Sequence, residues 1–112
     1  MSSALARKLE SLRVKGAMRD GDLASLLGTR TETVSRWNQG RAYPEVITEK
    51  TLLEVEYIVD LLADIYQPEE AREWIFSAQK LLSGAVPADL IRDGRADEVL
   101  RLVGQLRETV YF

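Results

Sequence analysis

LLGTRTETVSRWNQG, residues 26–40, holds two helix ends and the turn between them. Leu23, Leu26 and Leu27 form a short apolar face that Gly28 ends. A second segment runs from about Thr31 to Asn38 and stops at Gly40, a natural left-handed C-terminal residue with Pro44 beyond it. On a helical projection of that segment Val34 and Trp37 share one side, so they are expected to lock it against the three leucines. Glu32, Ser35, Arg36 and Gln39 fall opposite. Two short helices, a tight turn and buried residues three apart match the spacing of a helix-turn-helix. In a major groove Arg36 is the natural guanine reader, Gln39 or Glu32 suits adenine or cytosine edges, and Arg30 and Arg41 suit phosphates. The expected DNA-facing set is Arg30, Thr31, Glu32, Thr33, Ser35, Arg36, Gln39 and Arg41. The plainer alternative is that Glu32 and Arg36, spaced i, i+4, pair with each other on a solvated helix.

The rest of the chain narrows the function classes. At 112 residues it is one domain, or two small halves sharing a core, and 46% apolar content suits a globule rather than a disordered chain. No apolar run approaches the roughly 20 residues that span a bilayer. SSALARKLESL at the start lacks the continuous apolar stretch of a secretory signal, so a cytoplasmic protein is expected. With no cysteine and no histidine, disulfides, thiolate or imidazole metal sites and Ser/His or Cys/His nucleophiles are excluded. An enzyme would have to rely on Asp60 with Asp64, or on Asp89, Asp93 and Asp97. Pro87 suits a first helical turn, Asp89 then lies near that N-terminus and Asp93-Gly94 reads as a turn, so capping explains the second set better than catalysis. No enzyme, cofactor or metal is expected. Residues 1–50 carry nine Lys/Arg against six Asp/Glu, whereas residues 51–112 carry six against twelve. A weakly basic front and an acidic back fit a protein of which only the front meets phosphates.

Helical periodicity continues throughout and predicts an all-α fold. Leu5, Leu9 and Leu12 recur behind Ser2 and Ser3, which can cap, and Gly16 breaks the pattern. ITEKTLLEVEYIVDLLADIY, residues 47–66, reads as one long helix stopped by Pro68. Leu52, Val55, Val59, Leu62 and Tyr66 make one apolar face of it, and Leu53, Ile58, Leu61 and Ile65 a second. Two faces imply two surfaces, either this chain plus a second copy in a homodimer or a central helix buried all round. Gln67-Pro68-Glu69-Glu70 opens the next helix, leading into AREWIFSAQKLL, with Ser83-Gly84 as a turn. PADLIRD is a short helix and ADEVLRLVGQLRETV a last one, with Val99, Val103, Leu106 and Val110 on one side. The expected division is an N-terminal helix-turn-helix bundle over 1–46, a central helix over 47–67 and a small helical domain over 68–112.

Two motifs carry a family resemblance. LLGTRTETVSRWNQG resembles the Xre-type repressor motif nearly position by position, except that Arg30 stands where that family often has a capping serine. Thr29 or Thr31 is then left to cap, with Thr29-x-x-Glu32 as a capping box. WIFSAQKLLSGAVPADLIRDGRADEVLRLV, residues 74–103, resembles the C-terminal domain of Xre/MbcA/ParS-type antitoxins through its tryptophan, LL-x-G, PADLI-R-D-G and E-V-L-x-L. The resemblance implies an antitoxin of a type II toxin-antitoxin pair. The usual partner of that family is a RES-domain toxin encoded by an adjacent gene, an enzyme that consumes NAD+ and arrests growth. On that reading the acidic half binds the toxin, and the basic half binds operator DNA of the shared operon.

The end of the chain suggests how inhibition works. Val110, Tyr111 and Phe112 are apolar and aromatic residues at a terminus, where such side chains usually have a binding role. They are expected to enter the toxin's NAD+ cleft; the alternative is that they fold back onto Val99 and Leu106. Arg92, Arg95, Arg101 and Arg107 are candidate toxin contacts, against the alternative of a solvated face balanced by Asp93, Asp97 and Glu98. Trp74 and Phe76, central in an apolar run, are expected in the core. The rival functions are a freestanding dimeric repressor without a toxin, and an interaction module that no longer touches DNA.

Overall fold

Ser3 opens helix α1 (Ala4–Gly16) by accepting a hydrogen bond from the Ala6 N–H at 3.0 Å through its Oγ. The computed structural model describes residues 3–110, so the other candidate cap, Ser2, lies outside the described residues. As the pattern suggests, α1 ends at Gly16, and Ala17 takes the left-handed conformation at φ 51. Glycine suits position 16 because α1 and the long helix touch there: a Cβ would sit 3.2 Å from Val59 Cγ1.

Helix α2 (Asp20–Leu27) ends at Gly28, whose φ of 65 is the left-handed state that glycine adopts without strain. The Thr29 N–H closes that end on Ala24 O at 2.9 Å. Thr29 is thus part of the exit from α2, and the extended residue before α3 (Thr31–Asn38) is Arg30. Neither threonine caps α3, contrary to the expected capping box. Val34 and Trp37 are buried, as the projection predicts, beside buried Leu23 and Leu26.

Helix α4 (Val46–Leu62) stops earlier than the sequence pattern suggests. The chain tightens after it, with Asp64 N–H to Leu61 O at 3.2 Å and Ile65 N–H to Leu62 O at 3.0 Å, and then extends at Gln67 to enter α5 (Pro68–Ile75). Leu52, Val55, Ile58, Val59 and Leu62 are fully buried; Ile58, assigned by period to the second face, belongs to the core. Leu53 and Tyr57 stay exposed, so in this chain α4 is not buried all round.

Helix α5 ends at Ile75 instead of continuing through Leu82. Gln79 Nε2 donates to Trp74 O at 2.9 Å and to Ser77 O at 3.3 Å, so a side chain satisfies carbonyls that a longer helix would have used. One 3-10 turn (Lys80–Leu82) and the left-handed pair Ser83 and Gly84 lead to α6 (Pro87–Arg92) and α7 (Ala96–Val110). No strand occurs among the described residues. The last helix keeps its form to Val110. One contiguous core runs from Leu9 and Trp37 through Ile58 and Ile75 to Ile91 and Val103, and both ends of the sequence share it.

Candidate interaction surfaces

The first surface is the outward side of α3. With Val34 and Trp37 turned inward, Arg30, Thr31, Glu32, Arg36, Gln39 and Arg41 are exposed, and Thr33 and Ser35 are half-buried. No ion pair joins Glu32 to Arg36 among the described residues, which leaves the guanidinium on the open face. Gln39 Nε2 donates to Ser35 Oγ at 3.2 Å, and Arg41 Nη1 to Gln39 Oε1 at 3.5 Å. Behind this row, Asp20 Oδ1 accepts from Arg13 Nη2 at 3.0 Å and Asn38 Nδ2 at 3.2 Å, fixing the end of α3 to α1 and α2. Sequence reading missed this triplet because its members lie on three helices and have no local signature.

The second surface follows α6 and α7, and it does not gather all the predicted arginines. Arg95 forks onto Glu98, and both line an open groove of about 380 Å³ with Arg101, Gln105, Leu102 and the 73% exposed Leu81. Arg92 turns the other way: Nη1 donates to Ser25 O and Ser25 Oγ, each at 3.3 Å, while Nη2 holds Asp89. It thereby supplies a cation and donors to the C-terminal end of α2. Arg107 Nε bonds Asp64 Oδ2 at 2.6 Å, and Lys15 Nζ bonds Asp60 Oδ1 at 2.9 Å, so each carboxylate of the candidate acid pair holds its own cation. Past Arg107, Val110 is 60% exposed; Tyr111 and Phe112 lie outside the described residues. Trp74 is buried, while Phe76 is half-buried with the Arg72 guanidinium 5.4 Å from its ring centroid.

Arg72 ties α5 to α2. Its Nε and Nη2 donate to Asp22 Oδ2 and Oδ1 at 3.0 and 2.8 Å, while Asp22 accepts the Arg19 N–H at 2.9 Å and so caps α2. Burial works against the ionised Asp22, but the hydrogen bonds from Arg72 and Arg19 and their charges outweigh it and hold the carboxyl below its ordinary value. Such a group binds fewer protons folded than unfolded. Its stabilisation is complete above the unfolded value of about 3.9 and disappears as pH falls through the lower folded value. Asp22→Asn is therefore expected to cost about 1–3 kcal/mol at pH 7. Urea unfolding across pH should show variant and parent converging below about pH 4; an unchanged gap there would contradict this assignment.

Residues 59–108 match the family model described as the antitoxin Xre/MbcA/ParS C-terminal toxin-binding domain. The mycobacterial cidal antitoxin MbcA of Mycobacterium tuberculosis is 32% identical over 90 residues, 80% of each chain. A probable mycobacterial cidal antitoxin from the same organism is 26% identical over 104 residues, 88% of this chain and 89% of its own. In the crystal structure of the M. tuberculosis MbcT-MbcA toxin-antitoxin complex, one chain superposes with a TM-score of 0.83 at 28% identity, covering 98% of this chain and 99% of that one. With the likeness spanning nearly the whole chain in structure and four-fifths of it in sequence, the chain belongs to the Xre/MbcA/ParS family of antitoxins.

Proposed function

We propose that this chain binds and neutralises a RES-domain, NAD+-consuming toxin encoded beside it, and that it represses the shared operon by binding its operator. The observation that carries the toxin reading is the family match over residues 59–108, whose model describes a toxin-binding domain. Residues 68–112 meet the toxin, residues 47–67 join the halves and residues 1–46 meet DNA. Arg95 and Arg101, with exposed Leu81 of the 3-10 turn, form the lateral contact, and Val110, Tyr111 and Phe112 enter the NAD+ cleft. Exposure of Val110, three residues past the Arg107–Asp64 bond, supports a tail that reaches outward. Arg92 and Arg107 contribute through the faces left open by their internal bonds.

For DNA, the supporting feature is a recognition helix held rigidly from behind by Asp20 and presenting Arg36 unpaired by Glu32. Arg36→Ala is expected to weaken operator binding by about 1–3 kcal/mol, roughly 5- to 150-fold, and to relax preference at the base it reads. Arg30→Ala and Arg41→Ala should instead weaken all sequences alike and flatten the salt dependence. Retardation of promoter fragments across salt concentrations checks this. Equal binding by Arg36→Ala would remove α3 as the reader.

A further inference from the structure

Helix α3 rests on the core through Val34 and Trp37, two buried residues three apart. Two points on one side set its depth but restrain its roll about its own axis only weakly. A third point lies on the flank towards α1, where Asn38 falls about 100° round the helix from Trp37. There the side chains leave an open groove of about 600 Å³, between Ala6, Arg7 and Glu10 of α1 and Ser35, Asn38 and Gln39 of α3. Asp20, the first residue of α2, bridges it. Its Oδ1 accepts from Asn38 Nδ2 at 3.2 Å on one side and from Arg13 Nη2 at 3.0 Å on the other. Ser35 and Gln39 follow Asn38 round the same flank, so a roll of α3 that breaks this bridge turns both of them.

We infer that Asp20 is a positioning residue for sequence-specific DNA reading: it fixes the roll of α3 at which Ser35 and Gln39 meet base edges. This rests on the proposal that α3 reads the operator. On charge alone Asp20 opposes DNA binding. Arg13 is shared with Glu10 at 3.1 Å, so the three bonded groups together keep one negative charge beside a face that must meet phosphates. An acidic residue in the first turn favours α2 through the helix dipole, but Asp22 supplies that charge too and accepts the Arg19 N–H at the same end. Asp22 cannot replace the link to α3, because its two oxygens are held by Arg72 of α5. Losing the charge and losing the bridge therefore act on operator binding in opposite directions, the first strengthening it and the second weakening it.

The test is retardation of two DNA fragments of equal length by the full chain, one carrying the promoter of its own gene and one with that sequence scrambled. Asp20→Asn removes the charge but keeps an amide oxygen with two lone pairs for Arg13 and Asn38. It should bind both fragments at least as tightly as the parent and keep the parent's preference between them. Asp20→Ala removes charge and bridge together. It should bind the scrambled fragment at least as tightly as the parent, yet lose about 5- to 150-fold on the promoter, the range of one base contact. Asn38→Ala breaks the bridge without changing the charge and should lose preference likewise. Residues 20 and 38 lie outside the matched residues 59–108, so all four chains should neutralise the proposed toxin equally, which also reports an intact fold. Asp20→Ala that tightens on both fragments, or weakens equally on both as a merely structural role requires, would overturn the inference. So would Asp20→Asn that loses the promoter as Asp20→Ala does, or Asn38→Ala that keeps the parent's preference. A parent with no preference between the fragments would instead refute the operator reading itself, and this inference with it.

Discussion

Deleting residues 108–112 is expected to abolish neutralisation of the toxin while leaving the fold intact. The two effects separate because the described residues past Arg107 are exposed. Arg107 holds Asp64, and beyond it Glu108, Thr109 and Val110 are all exposed, so their removal uncovers no core and breaks no contact between helices. Midpoint temperatures of parent and truncated chain should agree within about 2 °C, as for surface changes worth under about 0.5 kcal/mol. The binding loss should be far larger. Aromatic anchors that fill a partner's pocket cost about 2 kcal/mol each when removed, so losing Tyr111 and Phe112 together, about 4 kcal/mol, should weaken the complex roughly 700-fold. Inhibition titrations against NAD+ turnover by the proposed RES-type toxin measure this directly. A truncated chain that inhibits as well as the parent would remove the tail from the mechanism and leave the groove of Arg95 and Arg101 as the principal contact.

Trp37→Ala carries the largest stability effect. Trp37 is 3% exposed, and it belongs to the same core as Ile58, Ile75 and Val103. Replacing a buried tryptophan by alanine costs about 3–5 kcal/mol through lost transfer energy and the cavity left behind. Against a total stability of about 5–15 kcal/mol for a domain, that is a large share. At about 4 °C per kcal/mol, the midpoint should fall by roughly 12–20 °C in thermal unfolding followed by circular dichroism. Because the core is shared, the loss should appear as one transition, not as selective melting of residues 1–46. A second transition near the parent's midpoint would show that the two halves unfold independently.

The parts of the fold legible in the sequence are those specified by neighbouring residues. The bounds of α3 follow from Gly28, Gly40 and the spacing of Val34 and Trp37, and α7 follows from its apolar period. Features that depend on distant partners were not legible. Gly16 reads as the end of α1, but its second role, letting Val59 approach closely, does not show in the sequence. The early end of α5 requires Gln79 to reach back to Trp74, and Thr29 looks like a cap until its N–H is spent on α2. The same limit applies to the surfaces. Arginine content around PADLIRDG marks a charged segment, but whether each guanidinium faces outward depends on Ser25 for Arg92 and on Asp64 for Arg107, 67 and 43 residues away. Asp22 and Arg72, 50 residues apart, have no sequence pattern at all, yet they join α2 to α5.

The most direct test of the central claim is the NAD+ concentration in cells expressing the proposed RES-type partner toxin, with and without this chain. NAD+ should collapse when the toxin is expressed alone and return to the uninduced level when the two are co-expressed. NAD+ that falls equally in both cultures would contradict neutralisation of such a toxin by this protein.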